Sequence, residues 1–184
     1  MKKKIVIIGA SGHGKVIADI AEKNGYEEIV FLDDDTSLKK CGRYFVVGTS
    51  EDITHYQGYD FVVGIGNSEM RKKMQNRIEC LQLPLAVLVH PNAVIADDVF
   101  MGNGTVVMAG AVINPGTVIG KGCIINTCAS VDHDCRISDF VHVSVGSHIA
   151  GTVNIGKKTW IGAGAIVSNN LFICDECYIG AGGV

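Results

Sequence analysis

The chain has 184 residues, of which 47% are hydrophobic and 19% charged, with a formal net charge of −3. That length suits one domain or two small ones. Its only basic tracts, Lys2–Lys4 and Arg71–Lys73, are too short to favour nucleic acid as a partner. No run of eighteen apolar residues is present to span a membrane. The start, MKKKIVIIGASG, has an apolar core of only four residues, too short for a signal peptide, so a cytoplasmic location is expected. Seven cysteines are an odd number without framework spacing. The lone pair Cys174 and Cys177 falls short of the four ligands of a structural zinc site, so no metal is expected.

Residues 1–88 alternate strand and helix patterns. Lys4–Ile8 reads as a buried parallel strand, followed by a glycine-rich turn, Gly9–Gly14, and a helix over Lys15–Asn24 with Gly25 as its stop. Ile29–Leu32 is a second strand leading into Asp33, Asp34 and Asp35. Tyr44–Val47 and Asp60–Val63 read as further strands. The turn Gly64–Gly66 then opens a helix over Ser68–Cys80 with Ser68 as its cap. Such alternation predicts a small parallel α/β sheet. The first turn, GASGHGK, begins like a phosphate-binding loop, but Val16 stands where that motif needs Ser or Thr, and the dinucleotide GxGxxG spacing also fails. A tight glycine turn at a sheet's carboxyl edge still presents backbone N–H groups and a helix N-terminus to an anion. Asp33 lies where such folds contact a ribose. A plain strand–helix turn and a solvated acidic loop are the alternatives.

From Val89 the sequence divides into sixteen six-residue blocks without an insertion. Each begins with Ile, Val or Met, and each fifth place is small or apolar. This is the hexapeptide signature of a parallel β-helix, three hexads closing one triangular coil of eighteen residues. The first and fifth places point inward, which puts Cys123, Cys135 and Cys177 in the core. Glycines at places two to four (Gly102, Gly104, Gly110, Gly116, Gly120 and Gly122) are expected to take the corners at positive φ.

Three histidines fall mid-repeat: His133, His142 and His148. His142 and His148 are one hexad apart and belong on successive faces, which argues against a shared metal. His133 followed by Asp134 fits a general base with a carboxylate to orient it. Eighteen residues on stands Gly151, so the space above His133 is expected to be open and the Gly151 N–H to be a candidate oxyanion donor. A polar turn residue is the alternative for His133. A covalent route through Cys128 or Cys135 ranks low, because Cys135 points inward and Cys128 has no evident base.

The order IVIIGASGHGKV, FLDD, VVGIGNSEMRKK, NTCASVDHDC, HVSVGSHIAG, IGAGAIV resembles bacterial hexapeptide-repeat sugar acyltransferases over nearly the whole chain. It is most similar to UDP-4-amino-sugar N-acetyltransferases, with sialic-acid O-acetyltransferases and perosamine N-acetyltransferases as near relatives. The resemblance implies a Rossmann-like, nucleotide-sugar-binding domain over 1–88 and a left-handed β-helix acyltransferase domain over 89–184. It also implies acetyl-CoA as co-substrate, no metal, and a homotrimer acting on a UDP-amino sugar. His133 with Asp134 takes the catalytic place. Ser11, Gly12, His13, Gly14, Asp33, Asp34, Gly66, Asn67 and Asn126 match the substrate side, and His142, Gly151, Ala163 and Ala181 the acetyl-CoA side. The amino-sugar enzymes often carry Glu where Asp134 stands. The repeat reaches Val184 without the polar cap a solenoid needs, so a further C-terminal segment contributing to the coenzyme A site is expected. Sugar O-acetylation and a non-catalytic nucleotide-sugar-binding scaffold are the competing readings.

Overall fold

The computed structural model describes residues 2–184, which divide between Leu88 and Val89 into two compact units. In the first, β1 (Lys3–Ile8), β2 (Tyr26–Leu32), β4 (Tyr44–Gly48) and β5 (Asp60–Val63) are parallel, and β3 (Lys40–Cys41) adds an antiparallel edge. The order is β3-β4-β2-β1-β5. Ile5, Val6, Ile7 and Ile8 are all buried, as a strand covered on both faces requires. Val6, Ile8, Leu32, Phe61 and Val63 pack with Met74 and Ile78 of α2 (Ser68–Cys80).

One helix start and one cap differ from the sequence reading. α1 runs Gly12–Lys23, so the second half of the glycine turn is already helical, with Ser11 as N-cap. The cause is Gly14: a Cβ there would lie 2.2 Å from the Gly9 carbonyl oxygen and 3.0 Å from the Phe31 ring. The missing side chain lets the helix begin hard against the strand end. At α2 the cap is Asn67, whose side-chain oxygen accepts from the Met70 N–H at 2.9 Å, and Ser68 is the first helical residue. The 3-10 turn Ser50–His55, closed by a Thr49/Asp52 capping box, has no counterpart in the sequence reading.

The second unit is a parallel β-helix of two-residue strands. Each strand pairs with the one eighteen residues on, giving three ladders: Leu88–Val106–Ile124–His142–Trp160–Tyr178, Val94–Val112–Ser130–His148–Ile166, and Phe100–Val118–Arg136–Asn154–Phe172. First-place residues from Val107 to Val167 are buried, with Ala111, Cys123, Ala129, Cys135, Val141, Val153 and Ala165 from fifth places filling the core between them. Where the fifth place is Thr, the hydroxyl is spent inside: Thr105, Thr117 and Thr159 donate to the carbonyls of Gly120, Asp132 and Cys174 at 2.8–2.9 Å. Cys177, expected in the core, is only partly buried.

The corners obey a stricter rule than glycine content. Every fourth place from Gly104 to Gly182 has positive φ, including the non-glycines Cys128, Asp134, Phe140, Thr152, Lys158, Asn170 and Glu176. Gly102 and Gly120, expected at positive φ, do not adopt it. They are second-place residues where coils touch. A Cβ on Gly120 would lie 2.7 Å from the Asp139 nitrogen and 2.8 Å from the Ser138 carbonyl carbon. Gly120→Ala must therefore shift backbone and is expected to cost about 1–3 kcal/mol. Gly146→Asn, at positive φ with open space around it, is expected to stay within about 0.5 kcal/mol of wild type. Chemical denaturation of both variants checks the contrast, and equal losses would refute it.

Candidate active site

The chemistry-bearing residues gather in three places. In the first unit a pocket of about 210 Å³ is lined by Ile8, Gly9, Ser11, Asp33, Asp34, Ile65, Gly66, Met70 and Met74. It collects Ser11, Asp33, Asp34 and Gly66 from the expected substrate residues, whereas Gly12, His13, Gly14 and Asn67 do not line it. Asp33 is already engaged: one oxygen accepts from the Ala10 N–H at 2.6 Å and the other from the Asp35 N–H at 2.9 Å. It thereby ties the glycine turn to the end of β2. Asp34 accepts from the Ser50 N–H at 2.8 Å. Gly14 serves packing and Asn67 caps α2.

Behind this pocket the guanidinium of Arg71 is 1% exposed and donates to the carbonyls of Ile65 and Gly66 at 3.0 and 2.7 Å. It fixes the Gly64–Gly66 turn from inside its own helix. The His13 imidazole has a buried Nε2 without a protein partner. Burial, and then the charge of Arg71, push its pKa down to about 4, so the ring is neutral at pH 7. Sequence reasoning missed Arg71, which it counted only as part of a short basic tract.

In the β-helix, His133 stands half-exposed at a corner with Nδ1 2.8 Å from Asp134 Oδ2. Asp134 reaches back because it holds the fourth-place conformation, φ 57°, and because Gly116 one coil earlier leaves room: a Cβ there would be 2.5 Å from Asp134 Oδ1. Position 151 corrects the expectation of open space. A Cβ on Gly151 would lie 2.6 Å from His133 Nε2. The imidazole itself fills that volume, and glycine is what admits it. On the other side, Asp132 Oδ1 accepts from the His133 N–H at 2.8 Å and from Asn114 Nδ2 at 2.7 Å. Asp132 and Asn114 are a second support that sequence reasoning missed, although their eighteen-residue separation places them on one ladder face.

The third gathering is a groove of about 330 Å³ lined by Asn126, His142, Ser144, Val145, Trp160, Gly162, Ala163, Tyr178 and Ala181. It brings together His142, Ala163 and Ala181, and adds Asn126, whose Nδ2 lies 3.1 Å from His142 Nε2. The His142 ring packs on Trp160 with centroids 4.2 Å apart, and Trp160 stacks on Tyr178 at 6.1 Å. His142 and His148 belong to different ladders. His148 pairs with Ser130, its Nδ1 2.8 Å from Oγ.

The arrangement raises the His133 pKa above the ordinary histidine value, through the Asp134 hydrogen bond first and the Asp132 charge second. A raised value favours the imidazolium, so that stabilisation is present below about pH 6.5 and is lost as pH rises through the folded pKa. NMR titration of the ring protons is expected to place His133 above His13 by more than two units. Asp134→Asn should lower the His133 midpoint, and Asp132→Asn should lower it less. A midpoint indifferent to both substitutions would refute this electrostatic account.

Comparison with known proteins supplies the family. Residues 4–78 match the family model described as the PglD N-terminal domain. The chain is 28% identical over 172 residues to the GDP-perosamine N-acetyltransferase of Escherichia coli O157:H7, covering 90% of this chain and 78% of that protein. It is 32% identical over 112 residues to the UDP-N-acetylbacillosamine N-acetyltransferase of Bacillus subtilis (strain 168), covering 58% and 52%. The acetyltransferase domain of PglB from Neisseria gonorrhoeae FA1090, solved in complex with acetyl coenzyme A, is similar at 38% identity and a TM-score of 0.96, over all of this chain and 91% of that one. With a small Rossmann-like sheet followed by a left-handed parallel β-helix, and with such similarity along its whole length, the chain belongs to the bacterial hexapeptide-repeat sugar acyltransferases.

Proposed function

We propose that the protein transfers the acetyl group of acetyl-CoA to the amine of a UDP-linked 4-amino sugar, with His133 as general base. The observation that carries this reading is the His133–Asp134 pair at 2.8 Å, because a carboxylate beside Nδ1 favours the ring proton there and an Nε2 able to accept one. The sugar amine attacks the thioester carbonyl carbon directly. Its surplus proton passes to His133 Nε2, while the Gly151 N–H faces the developing oxyanion. Collapse of the tetrahedral intermediate breaks the carbon–sulfur bond, and the thiolate leaves with the proton from the imidazolium. A direct route is favoured over an acyl-cysteine because Cys135 is buried and Cys128 has no base hydrogen-bonded to it.

Within this reading the first unit receives the nucleotide sugar, through Ser11, Asp33, Asp34 and Gly66 together with Gly12, His13, Gly14 and Asn67 of the flanking turns. The β-helix groove receives acetyl-CoA, through His142, Ala163 and Ala181, with Asn126 beside them. UDP is preferred to GDP on the overall resemblance and on the Bacillus subtilis relative, whose sugar is UDP-linked. Assembly as a homotrimer is supported by apolar side chains on the outer faces of two ladders. Val94, Phe100 and Phe172 are each more than 60% exposed, and a second copy would cover them. A reducing cytoplasm suits the seven free thiols. Among the described residues, no helix is long and apolar enough to cross a membrane.

The test is release of free coenzyme A from acetyl-CoA in the presence of a UDP-4-amino-4,6-dideoxy sugar, its GDP counterpart, or free sialic acid. Turnover is expected with the UDP sugar. His133→Ala should lower kcat about 10²–10⁴-fold, whereas Cys128→Ala should retain activity. Because the base must be neutral, kcat/KM should rise with pH through the raised pKa of His133. Turnover with the GDP sugar alone would reassign the nucleotide, and full activity in His133→Ala would remove the base. Light scattering should give three times the chain mass.

A further inference from the structure

Five hydroxyl side chains are buried in the β-helix: Thr105, Thr117, Ser144, Ser147 and Thr159. Four of them donate to carbonyl oxygens, the three threonines to the following coil and Ser147 to the Ser144 carbonyl at 2.6 Å. The Ser144 hydroxyl alone is buried with no protein partner. Nor does it follow other polar residues at the second place of a hexad. Asn126 and Asp132 each accept from the next backbone N–H at 2.8 Å, which Ser144 does not do. The backbone of Ser144 is fully used: its N–H donates to the Ile161 carbonyl at 3.0 Å, and its carbonyl accepts from Ser147 twice. The open hydrogen-bonding capacity therefore belongs to the side chain. A buried hydroxyl without a partner opposes folding, and such a group in a native protein calls for an explanation.

The location supplies one. Ser144 lines the groove with Asn126, His142, Trp160, Ala163 and Ala181. Serine has three staggered χ1 wells, which leave its hydroxyl able to reorient when a ligand occupies the groove. The Trp160–Tyr178 stack gives that groove an apolar, polarisable surface, and Gly162, Ala163 and Ala181 add only small side chains to its lining. An extended chain of methylene segments interrupted by secondary amides fits this lining: the methylenes lie on the rings, and an amide meets the hydroxyl. The pantetheine arm of coenzyme A has that chemistry.

We infer that Ser144 is a further ligand-binding residue, its hydroxyl hydrogen-bonding an amide of the pantetheine arm of acetyl-CoA in the Asn126–His142–Trp160 groove. The inference rests on the acetyl-CoA reading proposed above. It concerns positioning of the donor and assigns Ser144 no part in bond making.

The test compares wild type with Ser144→Ala, using calorimetric binding of coenzyme A and steady-state kinetics with acetyl-CoA and with S-acetylpantetheine, which lacks the nucleotide. Removing an orphaned hydroxyl should leave the thermal midpoint of the ligand-free protein unchanged or higher, which separates this role from a structural one. Coenzyme A binding should weaken about fivefold, the worth of one neutral hydrogen bond. KM for acetyl-CoA should rise in proportion, with kcat and the amino-sugar KM held. The same factor should persist with S-acetylpantetheine. A lower ligand-free midpoint would make Ser144 structural and overturn the inference. Unchanged coenzyme A binding would overturn it too, and a penalty that vanishes with S-acetylpantetheine would move the contact to the nucleotide. Wild type that binds coenzyme A without turnover would sink the proposed reaction and leave the Ser144 contact testable by binding alone. Wild type that binds neither thioester would sink both.

Discussion

The backbone hydrogen bonds that join each coil to the next, eighteen residues along, are the constraint from which the β-helix follows. They fix a register that allows no slippage, because a shift of one residue would turn the buried Ile and Val of the first places out of the core. Once the register is fixed, every residue has an address: a ladder, a face and a coil. His133 is brought beside Gly151 and Asn114 beside Asp132 for no other reason than this spacing. The same rule keeps His142 and His148 on separate ladders.

The corner geometry has chemical use as well. A left-handed backbone conformation is unfavourable for most side chains, yet of the fourth places from Gly104 to Gly182, all at positive φ, half are residues other than glycine. At Asp134 that conformation swings a short carboxylate back onto the preceding imidazole at 2.8 Å. The turn thus supplies the reach that the short Asp134 side chain lacks. Gly116 and Gly151 complete the arrangement by absence, one admitting the carboxylate and the other the ring. Neither glycine needs to be catalytic to be irreplaceable there.

What the sequence made legible and what it hid divide along physical lines. The hexads, the sheet of the first unit and the His133–Asp134 pair were readable, because periodicity and adjacency in sequence become adjacency in space. The start of α1 at Gly12 was misplaced by three residues and the cap of α2 by one, since a cap depends on which side chain turns back and on what packs behind it. Arg71 was hidden in a run of three basic residues, and only the fold brings its guanidinium to the Ile65 and Gly66 carbonyls. Asn114, Asp132, Ser130 and His148 carried a usable signal, two polar pairs each eighteen residues apart. The missing partner of Ser144 carried none, because an unmade hydrogen bond leaves no trace in a sequence.

The two histidines His13 and His133 show how the same side chain acquires opposite properties from its surroundings. His13 is desolvated beside a buried arginine, and both effects penalise the charged ring. His133 stands in solvent between two carboxylates, and both raise its proton affinity. In the proposed reaction a base needs affinity for a proton and access to water and substrate, and the half-exposed His133 corner offers both. His13 borders the glycine turn instead, and in the proposed function it has a different task. A neutral His13 can offer one N–H to a ligand oxygen without adding charge beside Arg71, and the attraction for an anion then falls to the N-terminus of α1 and the surrounding backbone N–H groups. Proton affinity is thus lowered beside the N-terminus of α1 and raised at the His133 corner. That division follows from burial and from the sign of the nearest charge.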